Sequence, residues 1–208
     1  MKFYLSSYKL GNEYKKLQKM ISKTNQKLAY ISNALDFSND INRRKKSVES
    51  DINDLQRFNV SIQKVDLREY FGKRQKLQEI IREYDLLWVR GGNTFVLRQA
   101  MKLSGFDEIL LAMWKNQEKK IYGGYSAGVC VLTQTLRGIE LVDDVSQKPY
   151  GTDVEVIWNG LGILDYQVAP HYKSDHPETE DVDRLVNYYI ENKILFKALR
   201  DGDVITIE

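Results

Sequence analysis

The sequence predicts an α/β protein, a three-layer sandwich with a mainly parallel sheet. Short β-rich segments alternate with longer amphipathic segments along most of the 208 residues. The segment Leu86–Val89 is apolar throughout, as in a strand buried on both faces of a parallel sheet. A content of 42% hydrophobic and 29% charged residues is ordinary for a globular chain and excludes wholesale disorder. The length fits one domain over residues 1–208.

Eight segments read as strands, because β-branched, aromatic and other apolar residues are concentrated in them. The alternation is imperfect in the third segment, where Val60, Ile62 and Val65 are the apolar positions. The predicted strands are Lys2–Ser7, Leu28–Ala34, Val60–Leu67, Leu86–Val89, Ile121–Tyr125, Leu164–Ala169, Leu195–Leu199 and Val204–Ile207.

The segments between the strands have apolar residues three and four positions apart, which is the spacing of one helix face. Leu17, Met20 and Ile21 form such a face after the first strand, and Val48, Ile52 and Leu55 form another within residues 38–58. Further helices are predicted over 73–83, 94–103, 107–117 and 177–191, with one more after Ser126. Glycines and a proline between residues 138 and 162 predict turns and room for hairpins.

Composition also excludes several kinds of protein. The single cysteine, Cys130, allows no internal disulfide and no multi-cysteine zinc cluster. No apolar run approaches 18 residues, and the first residues lack a signal-peptide pattern. We therefore expect a cytoplasmic protein, a monomer or homodimer, that uses no metal or cofactor and binds neither membrane nor nucleic acid.

The net charge of +2 hides an uneven distribution. Residues 1–104 carry 21 Lys and Arg against 11 Asp and Glu, whereas residues 105–208 carry 10 against 18. The basic half has no nucleic-acid motif and no interleaved aromatic residues, so the run RRKK at 43–46 is interpreted as a solvated surface.

The most informative motif is GYSAG at residues 124–128. It matches the G-x-S-x-G nucleophile elbow, and it lies where the motif requires, between a predicted strand and a predicted helix. Gly124 and Gly128 would let the two elements approach closely, and the helix N-terminus would offer N–H groups to an oxyanion. A tight turn with a spectator serine is the alternative interpretation of Ser126.

A serine nucleophile needs a base, and the chain has two histidines. His171 follows a predicted strand end in Ala-Pro-His-Tyr, where α/β sheets keep their sites, so we favour it. His176 stands before a predicted helix and is retained as the alternative.

The turn at residues 90–94, Arg-Gly-Gly-Asn-Thr, joins the buried fourth strand to a helix. Paired glycines there can turn a backbone N–H toward a neighbouring pocket, as an oxyanion hole requires. The turn lacks both the dinucleotide-binding pattern and the Walker lysine, so a phosphate site is disfavoured.

Taken together, GGNTFVL, GYSAG and APHY, in this order and roughly 30 to 45 residues apart, resemble the peptidase E family of aspartyl dipeptidases and cyanophycinases. The resemblance covers nearly the whole chain and implies a fold like that of class I glutamine amidotransferases. It also implies that Ser126 is the nucleophile, that His171 is the base, and that Ala127 and the Gly91-Gly92 turn, Gly92 above all, supply oxyanion donors.

The acid that orients the histidine has two candidate positions. Asp201, before Gly202, resembles the carboxylate that precedes glycine in the family and is preferred. The alternative is the pair Asp143 and Asp144, which lie at about the second distance after the serine at which the resemblance implies an acid. Either could hold the Nδ1 proton of the histidine.

The chain departs from the family pattern in a way that bears on substrate. The resemblance implies an arginine shortly after the histidine loop, where aspartyl dipeptidases hold the substrate carboxylate. In the corresponding stretch this chain has Glu178, Glu180 and Asp181. A carboxylate at this place would repel an acidic N-terminal residue and favour a neutral or basic one. We therefore expect a small-peptide hydrolase, dipeptidase-like, with Asn93 and Glu180 in contact with substrate.

Two other functions remain open at this point. An esterase on an α/β-hydrolase fold could use the same elbow, although the H-G-G-G oxyanion motif is missing. A catalytically idle binding or regulatory module on the same scaffold is the second. A glutamine amidotransferase is disfavoured because the elbow carries Ser126 and not cysteine.

Overall fold

A computed structural model describes residues 1–151 and 153–208, and its main feature is a six-stranded sheet. The strand order is β3-β2-β4-β5-β1-β8, and all neighbouring strands are parallel except β8, which pairs antiparallel with β1. Two further strands, β6 and β7, form a separate parallel pair. The strands are β1 (Lys2–Ser6), β2 (Lys27–Ile31), β3 (Ser61–Lys64), β4 (Leu86–Val89), β5 (Ile121–Tyr125), β6 (Gln167–Ala169), β7 (Phe196–Ala198) and β8 (Val204–Ile207).

Helices cover both faces of the six-stranded sheet, which confirms the predicted α/β sandwich. On one face Trp88 and Tyr30 of the sheet pack with apolar residues of α1 and α2. On the other face Leu87 and Val89 pack with residues of α3, α4 and α5. The helices are α1 (Tyr14–Ile21), α2 (Ile41–Gln56), α3 (Arg74–Arg82), α4 (Thr94–Ser104), α5 (Phe106–Lys115), α6 (Ala127–Cys130) and α7 (Thr179–Glu191).

Local chemistry explains where several of these elements begin and end. All four residues of β4 are buried, because β4 lies between β2 and β5 and has helices on both faces. Gly105 adopts a left-handed backbone with φ of 75° and separates α4 from α5, as a glycine after a helix commonly does. Asn93 begins α4, since its side chain accepts a hydrogen bond from the N–H of Val96.

The turn-rich region after α6 differs from the prediction that left room for hairpins there. Over residues 131–151 and 153–166 the structure shows one isolated antiparallel bridge, between Thr135 and Asn159. The carbonyls of Val131, Leu132 and Thr133 instead accept hydrogen bonds from N–H groups of residues 161–164. These hydrogen bonds join the two ends of the region without forming strands. No helix in the described ranges is long and apolar enough to cross a membrane.

A buried ionic cluster ties α2 to the sheet. One carboxylate oxygen of Asp51, on α2, accepts hydrogen bonds from the hydroxyls of Tyr30 and Tyr125 at 2.8 and 2.7 Å and from Nε of Arg90 at 2.9 Å. Asp51 and Arg90 are both buried. Because a buried charge is costly when unpaired, each depends on the other.

We expect Asp51→Ala to lower the free energy of unfolding by about 3–5 kcal/mol, since it leaves Arg90 buried without its counter-charge. Asp54→Ala, nearly one helical turn away, is the matched control. Asp54 contacts Lys9 at 3.4 Å on a partly exposed surface, so its loss should cost at most about 1 kcal/mol. Urea unfolding measures both, and equal losses would contradict the assignment.

Candidate active site

The candidate site lies at the carboxyl-terminal edge of the six-stranded sheet. Three adjacent strands, β4, β5 and β1, end there and lead into Arg90, Ser126 and Ser7 respectively. Open parallel sheets bind their ligands at this edge, because the loops that leave the strands meet in one crevice.

Ser126 occupies a sharp turn between β5 and α6. Its backbone has φ of 49° and ψ of −117°, a strained conformation for a residue with a side chain. The turn needs glycine on both sides: a Cβ on Gly124 would lie 2.5 Å from the carbonyl oxygen of Val89, and one on Gly128 would lie 2.2 Å from the same atom. The two glycines thus provide the close approach that the motif predicts.

The Gly91-Gly92 turn lies directly against this serine. A Cβ on Gly91 would come within 2.8 Å of the Ser126 Cβ. Gly92 has φ of 139°, and a Cβ there would meet the carbonyl oxygen of Ala34 at 2.4 Å. The N–H groups of Gly91, Gly92 and Ala127 have no acceptor among the described residues. These N–H groups are the available donors for an oxyanion next to Ser126.

His171 and Asp201 meet because β6 and β7 are parallel partners. Ala169, the last residue of β6, is in register with Ala198, the last residue of β7. His171 and Asp201 follow these two strand ends, and Nδ1 of His171 lies 2.7 Å from Oδ1 of Asp201. A carboxylate in this position selects the tautomer that carries its proton on Nδ1 and leaves Nε2 free to accept one.

Ser7, which the sequence reasoning did not single out, connects the two sheets at this point. Its hydroxyl oxygen accepts a hydrogen bond from the N–H of His171 at 2.8 Å and donates one to Oδ1 of Asp201 at 2.9 Å. The N–H of Asp201 also donates to the Ser174 hydroxyl at 2.8 Å. The available signal in the sequence was the location of Ser7 as the last residue of the first predicted strand, at the edge where Ser126 lies.

His176 stacks on His171 and so belongs to the same site. The two rings are 3.7 Å apart between centroids and nearly parallel, and Tyr8 packs edge-on against both. Burial, and to a smaller extent the nearby His176, lower the pKa of His171 to about 4 against the opposing effect of Asp201. The His171 ring is therefore neutral at pH 7, as a proton acceptor must be.

The alternative acids have other partners in the structure. Asp143 is half-buried and accepts a hydrogen bond from the N–H of Thr94 at 2.7 Å, at the first residue of α4. Asp144 accepts from Ser146 and Gln147 on the surface. Among these three carboxylates, it is Asp201 that contacts His171.

The two residues expected to touch substrate lie apart from the cleft beside Ser126. The Asn93 amide is buried, accepts from Val96 and donates to the carbonyl of Asp144. Glu180 is exposed on α7. Neither is among the described residues that line the cleft, whereas Glu178 is.

Glu178 and Asp143 form an acidic pair in a small cavity behind Ser126. This cavity holds about 10 Å³, roughly one water molecule, and His171 and Cys130 also line it. Burial raises the pKa of Glu178 to about 7 and that of Asp143 to about 6, and Asp143 adds to the shift at Glu178. The wall beside Ser126 is therefore acidic above neutral pH.

Three potential metal-ligating side chains also come together here, although the sequence offered no recognisable cluster. Ligand atoms of His171, His176 and Glu178 all lie within 4.8 Å of one another. The lone pairs of the stacked rings lie in two parallel planes, so they do not converge on one ion as metal ligands do. The arrangement fits a hydrogen-bonded proton acceptor better than a metal centre.

The open cleft in front of Ser126 has a volume of about 380 Å³, enough for a small ligand. It is bordered by Tyr8, Arg90, the two glycines of the turn, and His171. A larger cavity of about 840 Å³ lies beside Lys2 and Ile121, where β1 and β5 begin. That cavity is at the opposite edge of the sheet and includes none of the predicted site residues.

Comparisons with known proteins agree with the geometry. A family model described as peptidase family S51 matches residues 5–208. The uncharacterized peptidase Lmo0363 of Listeria monocytogenes serovar 1/2a is 29% identical over 109 residues, which are 52% of this chain and 50% of that protein. Peptidase E of Streptomyces coelicolor is 29% identical over 132 residues, 61% of this chain and 50% of that protein. The aligned part spans about half the length of these curated relatives.

Solved structures extend the likeness to the whole fold. A candidate peptidase E from Listeria monocytogenes EGD-e has a TM-score of 0.68 at 18% identity, covering 100% of this chain and 98% of its own. A peptidase from an acI-B1 Actinobacterium has a TM-score of 0.66 at 13% identity, covering 100% of this chain and 83% of its own. At such identities the likeness establishes the fold.

The low pKa of His171 gives a direct test by NMR. The ring should remain neutral at about pH 5.5 and titrate with a midpoint of about 4, where an ordinary histidine titrates near 6.5. Because the folded pKa lies below the unfolded one, His171 contributes stability that is present above pH 6.5 and is lost as the pH falls toward 4.

Two variants separate the causes of this shift. Asp201→Asn should lower the midpoint further, since Asp201 favours the charged ring. His176→Ala should raise it and, with only two histidines in the chain, also assigns the signals. A wild-type His171 midpoint near 6.5 would show that the buried arrangement is wrong.

Proposed function

The chain belongs to peptidase family S51, and on this premise we propose that it is a serine peptidase that hydrolyses short peptides through an acyl-enzyme on Ser126. The single observation that carries the proposal is the 2.7 Å contact between His171 Nδ1 and Asp201 Oδ1, in a cleft that Ser126 also lines. An oriented base next to an elbow serine is the arrangement that acyl transfer requires.

In the proposed first step, Nε2 of His171 removes the proton of the Ser126 hydroxyl as Oγ attacks the peptide carbonyl carbon. The imidazolium that forms is stabilised by Asp201 through the Nδ1 proton. His171 then gives its proton to the leaving amine as the C–N bond breaks. Water, deprotonated by the same ring, hydrolyses the ester to release the acid and restore Ser126.

The unpaired N–H groups of Gly92, its neighbour Gly91, and Ala127 support the electrostatic part of this proposal. The Gly91-Gly92 turn is packed closely against Ser126, Tyr125 and the Ala34 carbonyl, so its N–H groups need little reorganisation when the oxyanion forms. Loss of one such donor typically costs about 2.7–4 kcal/mol of barrier. Because α6 has only four residues, its helix dipole is small, and it stabilises the oxyanion less than these hydrogen bonds do.

The acidic wall supports a substrate preference that differs from an aspartyl one. Glu178, with Asp143 behind it, lines the cavity next to the nucleophile, so an acidic N-terminal residue would be repelled there. Neutral and basic N-terminal residues would be favoured, and a free α-amino group would be attracted. Glu178 takes the role that the sequence analysis gave to Glu180.

Ser126→Ala should abolish turnover and labelling by a fluorophosphonate probe, since the nucleophile is removed. His171→Ala should lower kcat by a factor on the order of 10⁴ or more. His176→Ala is the matched control and should keep the labelling reaction, because His176 supplies packing and not the base. Circular dichroism and thermal unfolding confirm that each variant is folded.

If His171→Ala kept full activity while His176→Ala lost it, the assignment of His171 as the base would be wrong. A folded wild-type protein that the probe does not label would favour a catalytically idle module. Rapid turnover of esters with no release of amines from any dipeptide would favour an esterase.

On a panel of X-Leu dipeptides at about pH 8, where Glu178 is ionised, kcat/KM should be at least about tenfold higher for X = Lys or Ala than for X = Asp. The discrimination should grow as the pH rises through about 7, because Glu178 loses its proton there. Glu178→Gln should narrow the ratio, and Glu180→Gln should leave it unchanged. A strong preference for Asp-Leu would overturn this specificity.

A further inference from the structure

The cleft in front of Ser126 has a cationic wall that the proposed mechanism does not use. Arg90 lines the cleft from the end of β4, and Arg43 and Arg44 line it from the first turns of α2. Ser38 and Ser47 lie along the same wall. The sequence analysis interpreted this arginine pair as solvated surface, so its position beside the candidate nucleophile is a result of the tertiary structure.

The guanidinium of Arg90 has a hydrogen-bond donor without an acceptor among the described residues, although only 6% of the residue is exposed to solvent. Its Nε donates to Asp51 at 2.9 Å and its Nη2 donates to the Ser47 hydroxyl at 2.9 Å. Its Nη1 is also buried and has no hydrogen-bond partner in the part of the chain that the structure describes, although the guanidinium carbon lies 5.6 Å from the centroid of the Tyr125 ring. Nη1 is closed off from solvent in this structure, so a ligand in the cleft pairs with it only after the guanidinium shifts. Because a buried unpaired donor of a charged group is expensive, such pairing would add affinity.

The Asp51 carboxylate does not fully satisfy this guanidinium. The one oxygen that Arg90 contacts also accepts from the hydroxyls of Tyr30 and Tyr125, which draw on the same negative charge. The contact is made through Nε alone, without the second parallel hydrogen bond of a bidentate arginine–carboxylate pair. Arg90 therefore keeps donor capacity for a second anion.

Arg43 supplies a second positive charge at the mouth of the cleft. Its side chain is exposed and makes no hydrogen bond or ion pair with another described residue. Its neighbour Arg44 is paired with Asp36, so its charge is already compensated. At the rim of the wall, Arg43 therefore has no ion-pair partner among the described residues. Deeper in the cleft, the charge of Arg90 is only partly paired.

The other side of Ser126 has the opposite sign. Glu178 lines both the cleft and the small cavity behind the serine, and His176 stands beside it. A molecule that lies across Ser126 would therefore have a positive end near Glu178 and a negative end near the arginines. A dipeptide with free termini has this charge distribution.

We propose that Arg90 and Arg43 form a binding site for a peptide carboxylate, namely the free C-terminal carboxylate of the leaving residue. The inference rests on the proposed function, because it takes Ser126 as the point of cleavage. It adds a reason for the length of the substrate: only a peptide with one residue beyond the cleaved bond presents its carboxylate to these side chains. An acidic side chain of the substrate is the other possible source of the same chemistry.

The test measures binding of Ala-Leu, Ala-Leu amide and Asp-Leu amide to the Ser126→Ala protein by calorimetry, so that no turnover is needed. We expect Ala-Leu to bind at least about tenfold more tightly than Ala-Leu amide, which lacks the carboxylate. Adding Arg43→Ala should reduce this ratio, whereas adding Lys45→Ala, an exposed cation on the same helix outside the cleft lining, should not.

Arg90 is tested with the substitution Arg90→Lys, which keeps a positive charge for Asp51 but lacks Nη1 and Nη2. The ratio of Ala-Leu to Ala-Leu amide affinity should fall toward one in this variant, with folding checked by circular dichroism. Arg43→Ala keeps the inference testable if Arg90→Lys does not fold, because Arg43 is exposed and unpartnered.

Equal binding of Ala-Leu and its amide would overturn the inference. Tighter binding of Asp-Leu amide than of Ala-Leu amide, with that gain lost in the arginine variants, would assign the site to an acidic side chain and overturn the C-terminal assignment. A carboxylate-dependent difference in binding, combined with no turnover by the intact protein, would retain the carboxylate site and refute the proposed peptidase activity.

Discussion

The geometry of the site depends on one backbone atom, the carbonyl oxygen of Val89 at the end of β4. Gly124 and Gly128 both approach this atom so closely that neither has room for a Cβ. That double contact lets α6 begin directly at the sheet and holds Ser126 with positive φ. The residues that follow Val89 then pass against Ser126 itself, with Gly91 next to its Cβ. This one close packing therefore sets the positions of Ser126, of the N–H groups beside it and of the floor of the cleft.

A second constraint fixes His171 relative to Ser126. His171 and Asp201 come from the small β6–β7 sheet, whereas Ser126 comes from the large one. Ser7, at the end of β1, bonds to both members of the His171–Asp201 pair and thereby fixes the small sheet against the large one. Because β1 is the direct neighbour of β5, this link also sets where the imidazole stands relative to the elbow.

The charges around the site come from both halves of the chain. The sequence analysis placed the substrate contact of the acidic half at Glu180, whereas the acidic side chain that lines the cleft is Glu178. The basic half contributes as well, through Arg43 and Arg90. The cleft is therefore polarised and not uniformly acidic, which neither net charge nor its division along the chain could show.

The sequence by itself determined the fold class, the eight strands, the elbow and the candidate base, because each of these depends on local spacing or on residue type within a short segment. The glycines of the elbow and the strand before them are sufficient to indicate a sharp strand-to-helix turn. The local sequence favoured Asp201 over the pair Asp143 and Asp144, but only the tertiary structure decided which carboxylate meets His171, since that contact depends on the pairing of β6 with β7. The same holds for Ser7, Glu178 and Arg90, whose neighbours are brought to them by strand order and helix packing across long separations in the chain.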